Sequence, residues 1–299
     1  MNEHTEARPS FPPVFALISG VLAVSTGAIF ARMAGEANPL VIAAYRVGLA
    51  SLILVPFAYW KARGEFLLLS SRQYALAALS GLFLALHFAT WISSLSYTSV
   101  ANSVVLVNTN PLWVGLLTPF IAKERLKQQA VISILISVAG GVIISYGDFA
   151  TDPGALWGDF LALTGSICAA VYLLMGRKLR AGLSLMAYIM LCYGSAALIL
   201  WAIVLAMGLP VSGFSTQTIS AFWAMALIPQ LIGHSSYNWS LKWFSAGTIA
   251  VSLLGEPIGS TILAWILFDE GLSGYKITGG ILILFAIWLA SVSESSEKK

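Results

Sequence analysis

Charge is what this sequence has least of. Only 10% of its 299 residues are Asp, Glu, Lys or Arg, against about 25% in a soluble domain. That scarcity excludes an ordinary water-facing globular surface. The net charge of +3 is small and leaves no basic footprint for a nucleic acid. There are two cysteines, Cys168 and Cys192, each inside an apolar run, so neither a disulfide framework nor metal-ligand spacing is present. No Gly-x4-Gly-Lys-Ser/Thr loop occurs, which excludes ATP drive encoded in this chain. His-Glu-x-x-His and Gly-x-Ser-x-Gly are also missing, so an enzyme is not expected, nor any cofactor. The N-terminal stretch carries Glu3, Glu6, Pro9, Pro12 and Pro13 but no basic leader or small-residue cleavage site. The first apolar run is therefore expected to remain as a helix.

What fills the chain is hydrophobic. Apolar residues make up 58% of it, and the mean hydropathy is +0.85. About 20 apolar residues in a helix cross the hydrocarbon core. By that criterion ten spans are predicted, at 13–32, 39–60, 73–96, 99–121, 129–147, 155–176, 184–207, 218–241, 248–268 and 275–293. All should be helices, because lipid offers no partner to an open sheet edge. Of the 16 basic residues, thirteen fall on one side if the spans alternate. Arg32 and Lys276 fall on the other side, and Arg46 falls within a span. The positive-inside rule then places both termini in the cytoplasm.

The halves resemble each other. Pro111 stands 13 residues before Glu124, and Pro257 stands 13 before Glu270. Leu126 and Leu272 extend the match at the same offset of 146. Residues 1–150 and 151–299 thus read as two copies of one five-helix unit. Five is odd, so the second copy is expected to enter the membrane inverted. The flanking charges agree: Lys123-Glu124-Arg125 in one copy becomes Asp269-Glu270-Gly271 in the other. The fold class is therefore an all-α integral membrane protein with ten transmembrane helices as two inverted five-helix repeats. Such repeats recur in secondary transporters that rock around a midplane site.

At these motifs the sequence resembles the drug/metabolite transporter superfamily, in particular EamA-like ten-helix permeases. The residues concerned are Pro111-Leu112 through Glu124-Arg125-Leu126, Glu256-Pro257 through Glu270-Gly271-Leu272, and Ala44-Tyr45-Arg46. The resemblance implies a permease of the bacterial cytoplasmic (inner) membrane, many of whose relatives export amino acids or related metabolites. One departure is the stretch Ala23 to Gly27, which lacks the tryptophan many members place there.

Polar groups inside a membrane are expensive and need a reason. Arg46, about seven residues into the second span, suits an anionic substrate group; the alternative is a structural arginine that snorkels or pairs with Glu36. Glu256 precedes Pro257 and occupies the repeat position of Asn110 before Pro111. It is a candidate proton site, the alternative being a cap or an interhelical bond. Asn108 and Asn110 have interhelical bonding as their alternative role. His87 and His234 lie mid-span in the third helix of each half, and Trp91 follows His87 at i+4 on the same face. Gln230 and Asn238 flank His234 on its helix. Substrate-pathway candidates are therefore Arg46, His87, Trp91, Asn108, Asn110, Gln230, His234, Asn238 and Glu256. Coupling candidates are Glu256, His87 and His234. Tyr172 and Trp113 are ambiguous between pathway and lipid belt.

The expected function is secondary transport of a small polar metabolite, an amino acid or a related compound, in the export direction by alternating access. The alternative is an importer of a vitamin- or nucleoside-like metabolite on the same fold. Expected partners are the small-molecule substrate, the lipid bilayer and protons as a candidate coupling ion. Monomer and homodimer stay open.

Overall fold

The protein was analysed as a computed structural model. It describes residues 12–121, 128, 132–133, 135–136, 139–143, 146, 154–244, 246–253 and 255–295. The Lys123-Glu124-Arg125-Leu126 motif lies outside the described residues. Every regular element among those described is helical. In chain order they are α1 (Pro13–Val24), α2 (Gly27–Met33), α3 (Pro39–Leu68), α4 (Ser71–Ser94), α5 (Val100–Val107) and α6 (Asn110–Ile121). The described residues between 128 and 146 are helical too. Then follow α7 (Ala155–Arg180), α8 (Leu185–Ala206) and α9 (Thr216–Met225). A π-helical segment (Ala226–His234) continues α9 and leads into α10 (Ser235–Ser240). The chain ends with α11 (Ala246–Ser252), α12 (Gly255–Phe268) and α13 (Gly274–Ser295).

Among the described residues, six segments are long and apolar enough to cross a membrane: Pro13–Met33, Pro39–Leu68, Ser71–Ser94, Val100–Phe120, Ala155–Arg180 and Leu185–Ala206. Together with the shorter apolar helices, the described elements follow the ten expected spans. The exterior is apolar, as lipid requires: Leu52, Leu198 and Trp265 stand 68%, 75% and 60% exposed.

The second span is longer than expected. α3 runs on to Leu68, past Lys61, Arg63 and Glu65, because no stop intervenes before Ser70. Ser70 then opens α4 with a capping box to Gln73. At 1.5 Å per residue, 30 residues reach about 45 Å, longer than the hydrocarbon core of about 30 Å.

Four of the expected spans are interrupted partway, two of them beside Pro111 and Pro257. Between α1 and α2, the hydroxyls of Ser25 and Thr26 donate to the carbonyls of Val21 and Ala23 at 2.9 and 2.7 Å. Ser260 Oγ donates to the carbonyl of Ser25 at 2.9 Å. Between α5 and α6, Asn108 Nδ2 donates to Val104 O at 2.9 Å and Thr109 Oγ1 to Leu106 O at 2.7 Å. Between α11 and α12, Ser252 Oγ donates to Ile249 O at 2.7 Å. Small polar side chains thus satisfy backbone groups that lipid could not. Pro111 and Pro257 each sit in the first turn after a break, where a missing N–H does no harm. These two breaks fall at corresponding places in the 146-residue repeat. The fourth interruption is the π segment, which contains Pro229.

Packing is close where residues are small. A Cβ on Gly81 would lie 2.5 Å from Cys192 O, so α4 meets α8 backbone to backbone. Gly165 of α7 faces His87 and Trp91 of α4 in the same way. Basic residues gather at one end of the bundle. There Arg177 donates to Leu241 O, and Arg180 to Asn238 O at 2.9 Å and to Leu183 O. At the opposite end Glu270 accepts from Val100 N at 2.9 Å and pairs with Arg32 at 3.5 Å.

Candidate functional site

The interruptions converge on one buried polar cavity. Its wall includes Val24 beside the first break, Val107, Asn108 and Asn110 at the second, Leu253 and Glu256 at the third, and His234 at the end of the π segment. Arg46 of α3, His87 and Trp91 of α4, Ala169, Tyr172 and Leu173 of α7, and Tyr237 of α10 complete it. A break lets two half-helices tilt and presents polar termini to a cavity instead of to lipid.

Arg46 is 1% exposed and sits about two turns into α3. Its Nε donates to Gln230 Oε1 at 2.8 Å. The guanidinium carbon lies 3.9 Å from the centroid of the Phe88 ring and 5.7 Å from that of Trp91. Neither structural alternative fits this arginine. It does not snorkel, and Glu36 is engaged with Ser215 N at 2.6 Å. Glu256 is also buried, and its Oε2 accepts from Asn108 Nδ2 at 3.2 Å. That bond joins the two repeats across their matching breaks. Among the described residues no carboxylate lies within ion-pairing distance of Arg46.

His87 Nδ1 lies 2.9 Å from Gly165 O. A carbonyl only accepts, so this nitrogen carries the proton and Nε2 of the neutral ring is left as an acceptor. His87 stacks on Trp91 at 5.9 Å, and His234 stands 6.2 Å from His87 and 5.2 Å from Phe88.

The cavity is small and hungry for polar partners. Arg46 Nη1, Trp91 Nε1, Asn110 Oδ1, Gln230 Nε2, His234 Nδ1 and the Tyr237 hydroxyl are buried without a hydrogen-bond partner. Native proteins leave few such groups. Arg46 and Trp91 present only donors here, so this part of the wall suits acceptor oxygens such as a carboxylate. The free volume is about 40 Å³, room for about three waters.

Of the nine pathway candidates, the structure brings Arg46, His87, Trp91, Asn108, Asn110, His234 and Glu256 onto this wall. Gln230 stands directly behind Arg46. Asn238 stands behind Tyr172, accepting its hydroxyl at 2.8 Å and donating to Tyr193 at 3.0 Å. Tyr237, three residues after His234 on one helical face, joins the wall. Phe88 is a site residue that the sequence reading left out. Phe88 is the residue after His87, and nothing in its neighbourhood marks it as the seat of a guanidinium.

The model of the EamA-like transporter family matches this chain twice, over residues 11–146 and 156–292. An uncharacterized transporter of Archaeoglobus fulgidus is 25% identical over 265 residues, covering 87% of this chain and 90% of that protein. The uncharacterized transporter YyaM of Bacillus subtilis is 24% identical over 292 residues, covering 93% of each. A solved crystal structure superposes with a TM-score of 0.67 at 18% identity, covering 96% of this chain and 99% of that one, which bears on the fold alone. The chain belongs to the EamA-like transporter family, and is a multi-pass membrane transporter of a small-molecule substrate.

Proposed function

We propose that this transporter carries a small zwitterion, an amino acid or a close relative, across the bacterial cytoplasmic membrane by alternating access. One observation carries the reading: an arginine and a glutamate line one buried cavity and are not paired with each other. Two buried charges held beyond ion-pairing distance keep a desolvation cost of several kcal/mol that their attraction across the cavity repays only in part. A zwitterion answers both charges at once, its carboxylate on Arg46 and the donors beside it, its ammonium on Glu256. The apolar and aromatic remainder of the wall suits an apolar side chain.

The two units, 1–150 and 151–299, open the cavity alternately to each side by rocking about the matching breaks. The cavity lies within one chain, so one chain suffices for transport, and monomer and homodimer both accommodate it. The basic end of the bundle faces the cytoplasm together with both termini. Export follows the direction common among relatives the sequence resembles. Protons are the proposed coupling ion, bound at Glu256 with His87 and His234 beside it.

Counterflow of radiolabelled amino acids in proteoliposomes tests the substrate. Uptake of at least one amino acid is expected, with Arg46→Gln reducing it at least tenfold. Failure of the whole amino-acid panel against an active vitamin or nucleoside would overturn the reading. Uptake driven by a pH gradient is expected to lose its pH dependence in Glu256→Gln. A gradient response that survives Glu256→Gln and both His→Ala changes removes these residues as coupling sites.

A further inference from the structure

We propose that Gln230 sets the charge selectivity of the cavity, holding Arg46 with a neutral oxygen and so leaving its positive charge for the substrate to neutralise. The inference rests on the proposed zwitterion reading and adds the residue that decides it.

The orientation of the Gln230 amide follows from its partner. An arginine side chain only donates, so the atom 2.8 Å from Arg46 Nε is the amide oxygen. The amide nitrogen then points away, and it is buried without a partner. Gln230 is itself fully buried. It therefore does two things. It fixes Nε, with the guanidinium carbon 3.9 Å from the Phe88 centroid and Nη1 unpaired. It also keeps a donor, Nε2, where a carboxylate would place a second acceptor oxygen beside the same cation.

A carboxylate of the same shape would do the opposite. It would form an ion pair with Arg46, cancel the charge and remove the extra donor. The π segment is what delivers Gln230 to this place, since Pro229 and the wider turn set the register from Ala226 to His234. Gly27 keeps the space open: a Cβ there would lie 3.3 Å from Trp91, 3.5 Å from Pro229 and 3.7 Å from Arg46 Nη1.

The test compares ligands that differ only in charge. Leucine, methionine and phenylalanine are each used with the matching acid that lacks the amine and the matching amine that lacks the carboxylate. Binding to the full chain in detergent is read by isothermal titration. Glu256 already accepts from Asn108 at 3.2 Å whereas Arg46 Nη1 is unpaired, so the wild-type protein should favour the acids over the amines by about ten- to a hundredfold, the range of a charge-assisted hydrogen bond. Gln230→Glu should erase or invert that ratio. Gln230→Met breaks the bond but leaves the charge free, so it should weaken every acid while keeping the preference. A merely structural glutamine would lower all ligands alike in both variants.

An unchanged acid-to-amine ratio in Gln230→Glu overturns the proposal, as does a ratio erased by Gln230→Met. Should Gln230→Glu not fold, Gln230→Asp replaces it and is read against Gln230→Asn: a ratio erased in the acidic variant alone supports the proposal, and a ratio kept in both overturns it. A wild-type protein that binds none of the nine compounds overturns the zwitterion reading and this proposal together. Binding by the wild-type protein with no effect of Gln230→Glu overturns this proposal alone.

Discussion

The cavity residues divide into those with spare bonding capacity and those without, and the division predicts how each substitution behaves. Asn238 is saturated, with Tyr172 on its oxygen and Tyr193 on its amide. Asn238→Leu strands the buried Tyr172 hydroxyl and leaves Tyr193 with Ser235 alone. It should lower stability by about 1–3 kcal/mol, seen as a reduced thermal midpoint in detergent, with the ligand preference of the remaining folded protein unchanged. Arg46 has spare donors, and Arg46→Gln should abolish transport while leaving the midpoint nearly unchanged. Outside the membrane, Glu36 accepts the backbone N–H of Ser215 at 2.6 Å, and that bond, followed by one with Thr218, holds its carboxyl below the ordinary value. A depressed carboxyl contributes stability above its ordinary pKa and loses it as pH falls through the folded-state pKa. Thermal midpoints recorded from pH 7 down to pH 3 should fall on the acid side, and Glu36→Gln should flatten that fall. Seven of nine candidates reach the wall because charge or amide inside an apolar span is rare enough to notice. Phe88 was not legible, since a phenylalanine among lipid-facing residues looks the same whether it touches lipid or a guanidinium.

The elements show why residues as unassuming as serine, threonine and glycine matter here. Each interruption survives in lipid only because a nearby hydroxyl or amide takes up the freed carbonyls. Ser260 binds the carbonyl of Ser25 from another helix, joining α12 to the first break. Ser260→Ala should destabilise the protein by about 0.6–1.7 kcal/mol, the range of such bonds between membrane helices, and chemical denaturation would measure it. Gly81 is the opposite case, where an added atom has nowhere to go. Gly81→Val drives a side chain into Cys192 O and should separate α4 from α8 at about 1–3 kcal/mol or more. Span positions were legible because about 20 apolar residues leave few other readings. The interruptions were not. Pro111 and Pro257 marked two of them, whereas Ser25-Thr26 and the π segment carry no comparable break in hydropathy, and satisfied backbone looks continuous in sequence.

Across the whole molecule, the cavity lies deep among the described helices. The cavity has room for about three waters, and at one end Glu270 caps α5 while pairing with Arg32 of α2. Glu270 belongs to the motif that exposed the repeat, and here it ties the second unit to the first. Glu270→Ala should cost about 0.5–2 kcal/mol through the lost cap, read as a lower thermal midpoint; a salt dependence of the wild-type midpoint that vanishes in the variant would attribute part of it to the ion pair. The sequence by itself determined that this chain lives in a membrane, how many times it crosses, and that it carries a repeat, because each follows from hydropathy, length and spacing along one dimension. Only the tertiary structure decided which polar groups meet. Whether Arg46 faces Glu36, Glu256 or Gln230 depends on the tilt of half-helices and on a register shift in a π turn, and those angles are fixed by packing between residues nearly two hundred positions apart.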